Sequence, residues 1–207
     1  MSYIKIPERI EEKSFEIIEK EMGHWREEFS ILEKPIIKRV IHTTADFEYM
    51  KLIKFSDGAL LKGLELLKKG EKIYCDTSMI VSGINKRKTS KLGIELINLV
   101  HDEEVRKISS KKGTTRSMEA VEKALKVENI KIFVIGNAPT ALFKLKDLID
   151  NGYEKPELII GVPVGFVGAE ESKKMLKDID VPYITVEGRK GGSTVAVAII
   201  NGLLKMI

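Results

Sequence analysis

The sequence predicts an α/β protein in which helices cover both faces of a mainly parallel β-sheet. Short apolar segments alternate along the chain with longer segments of helical periodicity. One short segment, Ile130–Ile135, is apolar at nearly every position, which is typical of a strand that is buried on both faces. Turns rich in glycine connect several strand candidates to the helices that follow them. Successive βαβ units of this kind imply a three-layer α/β/α sandwich, formed as a single domain over residues 1–207.

Proline and glycine set most of the predicted helix boundaries. Pro7 is a favourable first helical position, and the first helix runs from there to about Met22, just before Gly23. Gly70 ends a later helix, and Pro139 begins another. Helices are predicted over residues 7–22, 47–55, 58–69, 114–125, 139–149, 169–179 and 193–206.

The strand predictions rest on apolar, β-branched runs between these helices. The segment Ile36–Ile41 follows Pro35 and is rich in isoleucine, so it is predicted to be a strand that ends just before His42. Strands are predicted over residues 36–41, 73–76, 92–100, 130–135, 158–164 and 181–186. The pattern does not fix the strand order, and it leaves the first helices free to pack apart from the repeating units or against a partner subunit.

Composition indicates a globular protein and narrows the class of partner. Hydrophobic residues make up 43% and charged residues 32% of the chain, and 35 Lys and Arg against 31 Asp and Glu give a net charge of +4. Solubility alone explains such a charge, and an anionic ligand is the alternative. The basic residues form only short clusters without interleaved aromatics, so a nucleic-acid partner is weakly supported.

A cytoplasmic location is expected. The charged N-terminal segment lacks the apolar core of a signal peptide, and the longest apolar stretch, Thr194–Leu204, is too short to span a bilayer. The single cysteine, Cys75, excludes an intrachain disulfide and is compatible with a reducing compartment. No cofactor motif is found, and the sequence holds neither paired cysteines nor HExxH, so no metal site is expected.

The most informative side chain is His42, in the string RVIHTTAD. Ligands of open parallel sheets bind beyond the carboxyl ends of the strands, and the predicted strand places His42 and Thr43 there. An imidazole donates and recovers protons near neutral pH, so His42 is a candidate general acid and base. A buried or solvated structural histidine is the alternative.

Three further turns between a strand and a helix have the chemistry of a site for an anion or a bulky ligand. Gly136 and Asn137 precede the helix at Pro139, whose first amides are suited to a carboxylate, although a tight βα turn explains them equally. Gly165 lies in a glycine-bracketed apolar turn that lets a ligand approach the backbone. Arg189 and Gly191 lie in GRKGGST, before the last helix.

Two polar residues stand out on helices. Ser14 shares a helical stripe with apolar residues and needs a hydrogen-bond partner, which is either a ligand or a carbonyl of its own helix. Arg116 begins a helix, where a cation opposes the helix dipole, so either a nearby anion or solvent balances its charge.

Taken together, these strings resemble the precorrin-8X methylmutase family over nearly the whole chain. The matching strings are EKSF, RVIHTT, CDTSMIVSGI, TRS, GNAPTAL, GVPVGFVGAEESK and GRKGGSTVAVA. The resemblance implies a flavodoxin-like sandwich and a homodimer with an active site that draws on both subunits. It also implies that His42 is the catalytic proton donor and acceptor, and that Ser14, Arg39 and Arg116 contact the substrate.

The activity implied by the resemblance is an isomerisation in cobalamin biosynthesis. A methyl group moves from carbon 11 to carbon 12 of the precorrin-8 macrocycle by a 1,5-sigmatropic shift, which gives hydrogenobyrinate, or cobyrinate when cobalt is present. Two alternatives remain open from the residues alone: a non-catalytic corrinoid carrier, and a nucleotide-binding α/β enzyme that uses the turns at 136–142 or 188–194 for phosphates. The absence of GxGxxG after the first strand argues against the second.

Overall fold

The computed structural model describes residues 5–126 and 130–207, and it confirms an α/β sandwich. The helices are α1 (Pro7–Glu21), α2 (Trp25–Glu28), α3 (Glu33–Thr44), α4 (Tyr49–Leu52), α5 (Ala59–Lys68), α6 (Ser78–Gly83), α7 (Lys86–Leu92), α8 (Glu103–Lys112), α9 (Arg116–Lys126), α10 (Pro139–Asp150), α11 (Ala169–Lys174) and α12 (Ser193–Lys205). A 3₁₀ turn, Met175–Asp178, follows α11. The strands are β1 (Ile53–Phe55), β2 (Lys72–Cys75), β3 (Leu96–Ile97), β4 (Ile130–Ile135), β5 (Leu158–Gly161) and β6 (Tyr183–Val186).

The sheet has the strand order β1-β6-β5-β4-β2-β3, and β1 is the antiparallel edge strand beside β6. The other neighbouring pairs are parallel. When β2 to β6 are counted from one to five, their order is 2-1-3-4-5, which is that of flavodoxin-like folds. The order reverses between β2 and β4, so a crevice is expected beyond their carboxyl ends, at residues 76 and 136.

Both faces of the sheet are buried, because strand side chains alternate between two cores. Ile132 and Val134 point into the core beneath α5 and α12, and Phe133 and Ile135 point into the core beneath α9 and α10. This explains why β4 is an apolar run rather than an alternating one. Helix α3 packs on α12 and α1 packs on α3, so the first helices add an outer layer to one side of the sandwich.

The predicted strand at 36–41 is wrong, since this segment lies in the middle of α3. The buried residues Ile36, Ile37, Val40 and Ile41 recur in pairs four positions apart and form one face of a helix on α12. A capping box was also present: the amide of Ser30 donates to the Glu33 carboxylate at 2.7 Å, and the amide of Glu33 donates to the Ser30 hydroxyl at 3.3 Å. Tertiary packing and this box outweigh the β propensity of isoleucine.

Other boundaries moved by smaller amounts. The predicted helix at 47–55 is a single turn, α4, followed by β1, and the predicted strands at 92–100 and 158–164 shrink to β3 and β5. The predicted helix at 169–179 becomes α11 and the 3₁₀ turn. The short helices α6 and α7 were not foreseen. Within the described ranges, no helix is both long and apolar enough to cross a bilayer.

Candidate active site at the carboxyl edge of the sheet

His42 lies in the last turn of α3 rather than at the end of a strand, and it is exposed. This change removes a difficulty, because Arg39 and His42 are three residues apart and therefore share one face of a helix, whereas on a strand they would point to opposite faces. Helix α3 ends at Ala45, whose φ of 53° is left-handed. The segment that follows leads into β1, and Ile53 of β1 pairs with Val186 at the carboxyl end of β6.

Phe15 of α1 organises the side chains around His42. The two rings stack with centroids 5.1 Å apart and an interplanar angle of 29°. The Arg39 guanidinium lies 5.3 Å from the centre of the Phe15 ring, and the ammonium groups of Lys205 and Lys38 lie at 5.4 and 5.9 Å. The ring therefore carries three cations and the imidazole at its edges and faces, in a geometry that attracts cations to aromatic rings.

Two of the other predicted residues lie beside this cluster. The Ser14 hydroxyl donates to the Ile10 carbonyl at 2.8 Å, which is the helix-internal partner left open by the sequence. Thr43 is exposed and, with Arg39, lines a cavity of about 170 Å³ between α3, α6 and α12. A second cavity of about 410 Å³ lies on the other side of Arg39, beside Phe15. Arg39 is thus the side chain shared by both hollows.

The turn at 136–138 has its amides occupied by the protein itself. Asp76, which directly follows β2 and is 2% exposed, accepts hydrogen bonds from the amides of Gly136, Asn137 and Ala138 at 2.9, 2.9 and 3.0 Å. Burial raises the pKa of Asp76, against the lowering effect of these three amides. Asparagine is a favourable N-cap residue, but Asn137 does not cap α10: Ala138 is at the N-cap, and Asp76 takes the amides of the turn. The Asn137 side chain is left exposed.

The turn at 188–192 is built differently and lies close to the end of α3. The Gly165 amide donates to the Arg189 carbonyl at 3.1 Å, and the Gly192 amide donates to the Val162 carbonyl at 2.8 Å. Gly191 has a φ of 148°, and a Cβ there would lie 2.2 Å from the Val162 oxygen. Only glycine fits this approach between two loops.

Charge links this turn to α3. The Lys190 ammonium forms ion pairs with Asp46 and with Glu48, the latter at 2.6 Å, and both acids follow α3 directly. The hydrogen bond from Lys190 holds the pKa of Asp46 below its usual range. In the part of the chain that the structure describes, no side chain caps the N-terminus of α12, so its first turn remains open beyond Gly192.

Arg116 is exposed at the start of α9, on the opposite face of the sheet. The hydroxyl of the preceding Thr115 lies 3.2 Å from that of Thr140 in the first turn of α10. The start of α9 therefore lies at the same edge of the sheet as the turn at 136–138. The predicted residues fall into three neighbouring groups along this edge: those on α1 and α3, those of the 165 and 189–191 turns, and Asn137 with Arg116.

Sequence reasoning missed four residues that shape the site. Phe15, Asp76 and Lys173 lay in the matching strings EKSF, CDTSMIVSGI and GVPVGFVGAEESK, and Asp46 ends the string RVIHTTAD, but none of the four had an assigned role. A signal existed for Asp76, because an acid directly after a buried strand at the point where strand order reverses faces the next turn. No local signal existed for Lys173, whose partner is 17 residues away.

Comparison with known proteins identifies a family. The family model CbiC, precorrin-8X methylmutase, matches residues 9–206. A cobalt-precorrin-8 methylmutase of Salmonella typhimurium is 45% identical over 99% of this chain and 97% of its own. A precorrin-8X methylmutase of Pseudomonas aeruginosa is 40% identical over 83% of each.

A solved structure shows the same fold. The crystal structure of a precorrin-8X methylmutase from Thermus thermophilus superposes with a TM-score of 0.87 at 41% identity, covering 96% of this chain and 95% of its own. Sequence and fold agree over almost all of both chains. The chain therefore belongs to the precorrin-8X methylmutase family.

Proposed function

We propose that this chain is an isomerase of cobalamin biosynthesis that moves a methyl group from carbon 11 to carbon 12 of precorrin-8, with His42 as its acid and base. The observation that carries the proposal is the placement of His42, stacked on Phe15 and beside Arg39, in a family whose named members are methylmutases. Its imidazole is exposed to a ligand, yet its orientation is held by an aromatic ring.

The proposed substrate is a corrinoid macrocycle that carries many carboxylates. Arg39, Arg189 and Arg116 are placed to pair with those carboxylates, and the open amides at the start of α12 suit an anion. Gly165 allows the ring to approach the backbone, Gly191 contributes by keeping its turn packed against Val162, and Ser14, Thr43 and Asn137 offer hydroxyl or amide groups. Gly136 contributes through its fixed position, because its own amide is bonded to Asp76.

The proposed reaction is an internal rearrangement with no net gain or loss of atoms. Protonated His42 donates its proton to the macrocycle near the migrating methyl group. The positive charge weakens the bond from the methyl group to carbon 11, and the bond to carbon 12 forms as the first one breaks. The rearranged ring then returns the proton to His42, so the enzyme regains its starting state.

We also propose a homodimer whose second subunit completes the site. The cavities beside Arg39 are shallow hollows of about 170 and 410 Å³, so a single chain provides only part of the wall for a large ring. Helix α1 carries an exposed apolar stripe, Ile10 and Ile17, next to the site, and Ile31 nearby is 83% exposed. A patch of this kind is expected to be covered by protein.

The remaining expectations concern the setting of the enzyme. We propose that the chain works as one domain in the cytoplasm, where its buried, unpaired Cys75 stays reduced. The charges at the site are arranged around hollows rather than along a stripe, which favours a small polycarboxylate over nucleic acid.

Replacement of His42 tests the proposed function most directly. We expect His42→Ala to retain its fold and its affinity for corrinoid, yet to lose turnover by about 10² to 10⁴, the usual contribution of general acid catalysis. Conversion of precorrin-8 is followed by absorption spectroscopy, because the methyl shift changes the conjugation. His24→Ala is the matched control, since His24 is also exposed and contacts an aromatic ring, Trp25, in a tilted arrangement with centroids 5.5 Å apart.

The same assay separates the alternatives. Undiminished turnover by His42→Ala would refute the role of the imidazole. Corrinoid binding by the wild type without any spectral change would favour a carrier, and saturable binding of ATP or NAD would favour a nucleotide enzyme. Parallel reactions with metal-free and cobalt-loaded precorrin-8 establish which form is the substrate, because relatives of both names match this chain, at 45% and 40% identity.

A further inference from the structure

Lys173 is a buried lysine, and lysine side chains are seldom fully buried in proteins. It lies on the short helix α11 and is 2% exposed. Its ammonium donates a hydrogen bond of 2.6 Å to the backbone carbonyl of Lys190. The adjacent Lys174, by contrast, is 69% exposed and pairs with Glu170 on its own helix. A buried ammonium is costly, so its retention needs a reason beyond packing.

The carbonyl that Lys173 holds belongs to the 188–192 turn. That turn has two further attachments on the same side, the amides of Gly165 and Gly192, which bond to Arg189 and Val162. Two side chains also attach to the turn: Tyr49 takes a hydrogen bond from the amide of Gly191, and Lys173 holds the carbonyl of Lys190 at the centre of the turn. Arg189 and Gly191 flank that residue.

From the centre of the turn, the connection continues to the candidate acid. The Lys190 side chain extends the other way and pairs with Asp46 and Glu48, which directly follow α3. His42 is four residues before Asp46, in the last turn of that helix. The backbone and the side chain of Lys190 thus join α11 on one side to the end of α3 on the other.

We propose that Lys173 is a positioning residue: by holding the Lys190 carbonyl, it fixes the 188–192 turn and, through the Lys190 ion pairs, the segment behind His42. The role of Lys173 in turnover rests on the proposed function, whereas its role in holding the turn does not. Lys173 itself need not touch the substrate. It acts by keeping Arg189, the open amides of α12 and the end of α3 in one fixed arrangement.

The first test measures this arrangement without substrate. In Lys173→Met, whose unbranched apolar side chain is one atom shorter and has no donor, we expect the amides of Gly165 and Gly192 to exchange hydrogen faster than in the wild type. Lys174→Met is the matched control and should leave both rates unchanged. If Lys173→Met does not fold, Lys173→Gln replaces it, because its amide is one bond too short to reach the Lys190 carbonyl. Unchanged exchange in the folded variant would overturn the proposal.

The second test uses turnover of precorrin-8. A displaced turn is expected to raise KM and the corrinoid Kd by about tenfold in Lys173→Met. A merely structural role would instead reduce the fraction of active enzyme and leave KM unchanged. Lys190→Met, which keeps the carbonyl and removes the ion pairs, should raise KM without speeding exchange at Gly165. If the wild type itself does not turn over precorrin-8, the proposed function fails, and the exchange test still decides the role of Lys173.

Discussion

The turns at 136–138 and 188–192 occupy equivalent places in the fold but are held in opposite ways. Each follows a parallel strand and precedes a helix on the buried sheet. In the first, a buried anion, Asp76, takes the amides. In the second, a buried cation, Lys173, takes a carbonyl, and the first turn of α12 has no side-chain cap in the described chain.

The difference shows which turn is available to a ligand. A ligand carboxylate cannot bind amides that are already bonded to the carboxylate of Asp76, so the 136–138 turn has a structural role. In the second, the amides of Gly191 and Gly192 bond to the Tyr49 side chain and the Val162 carbonyl, and it is the first turn of α12, after Arg189, that lacks a side-chain cap in the described chain. Burial acts on both holding groups in the same sense, since it raises the pKa of Asp76 and lowers the pKa of Lys173 to about 8, in each case disfavouring the charged form.

The largest loss of stability is expected from removing the charge of Asp76, which holds the 136–138 turn. Asp76→Asn places an amide group against three backbone amides, at least one of which must lose its acceptor. We expect the free energy of unfolding to fall by about 4 kcal/mol, as measured by urea denaturation. Asp102→Asn is the control, because Asp102 caps α8 through two amides at an exposed helix end where asparagine serves equally well. Equal losses in the two variants would contradict the special role of Asp76.

The next effect is a pH dependence of stability that arises from Lys173, the cation that holds the 188–192 turn. The pKa of Lys173 is lowered by burial from 10.5 to about 8, so between these values the unfolded chain binds a proton that the folded chain does not. Stability must then rise with pH over this window. Relative to Lys173→Met, the wild type should gain about 3 kcal/mol between pH 8 and pH 10.5.

Urea denaturation of both proteins at several pH values measures this gain. Lys174→Met provides the comparison, because Glu170 raises the pKa of Lys174 rather than lowering it. A stability difference between wild type and Lys173→Met that does not change with pH would show that Lys173 is charged to the same extent in both states.

A smaller loss of stability is expected from adding a methyl group in the 188–192 turn. Gly191→Ala places a methyl group against the Val162 oxygen and should destabilise the fold by about 2 kcal/mol while weakening corrinoid binding. Gly188→Ala is the matched control: its φ is 72°, and no atom lies within 4 Å of the added carbon, so only about 1 kcal/mol of backbone strain is expected. Corrinoid titration and thermal unfolding of both variants give the comparison. Corrinoid binding by Gly191→Ala that equals the wild type's would show that the turn is not part of the site.

The sequence was sufficient for the layers of the fold, because continuous apolar runs, helical periodicity and glycine or proline boundaries are local signals. It was misleading at α3, where β-branched residues favour a strand locally but a helix packed on α12 buries them better. The Ser30 and Glu33 capping box was the local evidence against a strand.

The site was predictable only as a set of residues along one edge. Motif resemblance named His42, Ser14, Arg39 and Arg116, and the turn chemistry named Arg189, but neither gave their contacts. The partners that hold the turns come from distant parts of the chain: Asp76 is 60 residues from Gly136, and Lys190 is 144 from Asp46. Periodicity and turn chemistry contain no information on pairs this far apart, so whether a turn is occupied internally becomes evident only in three dimensions.

The ion pair between Arg39 and Glu11, at 2.9 Å, has a consequence for selectivity. Arg39 already has a carboxylate partner, and the same Glu11 also pairs with Lys205 at 3.1 Å. A ligand that recruits Arg39 therefore enters by exchange, and its gain is only the difference between its own carboxylate and that of Glu11. A ligand with a single carboxylate gains little binding free energy from this exchange. A ligand with many carboxylates is already held at other points of the site, so one more of its carboxylates reaches Arg39 at a high effective concentration. Arg39 therefore discriminates between ligands by the number of their carboxylates rather than by the presence of one.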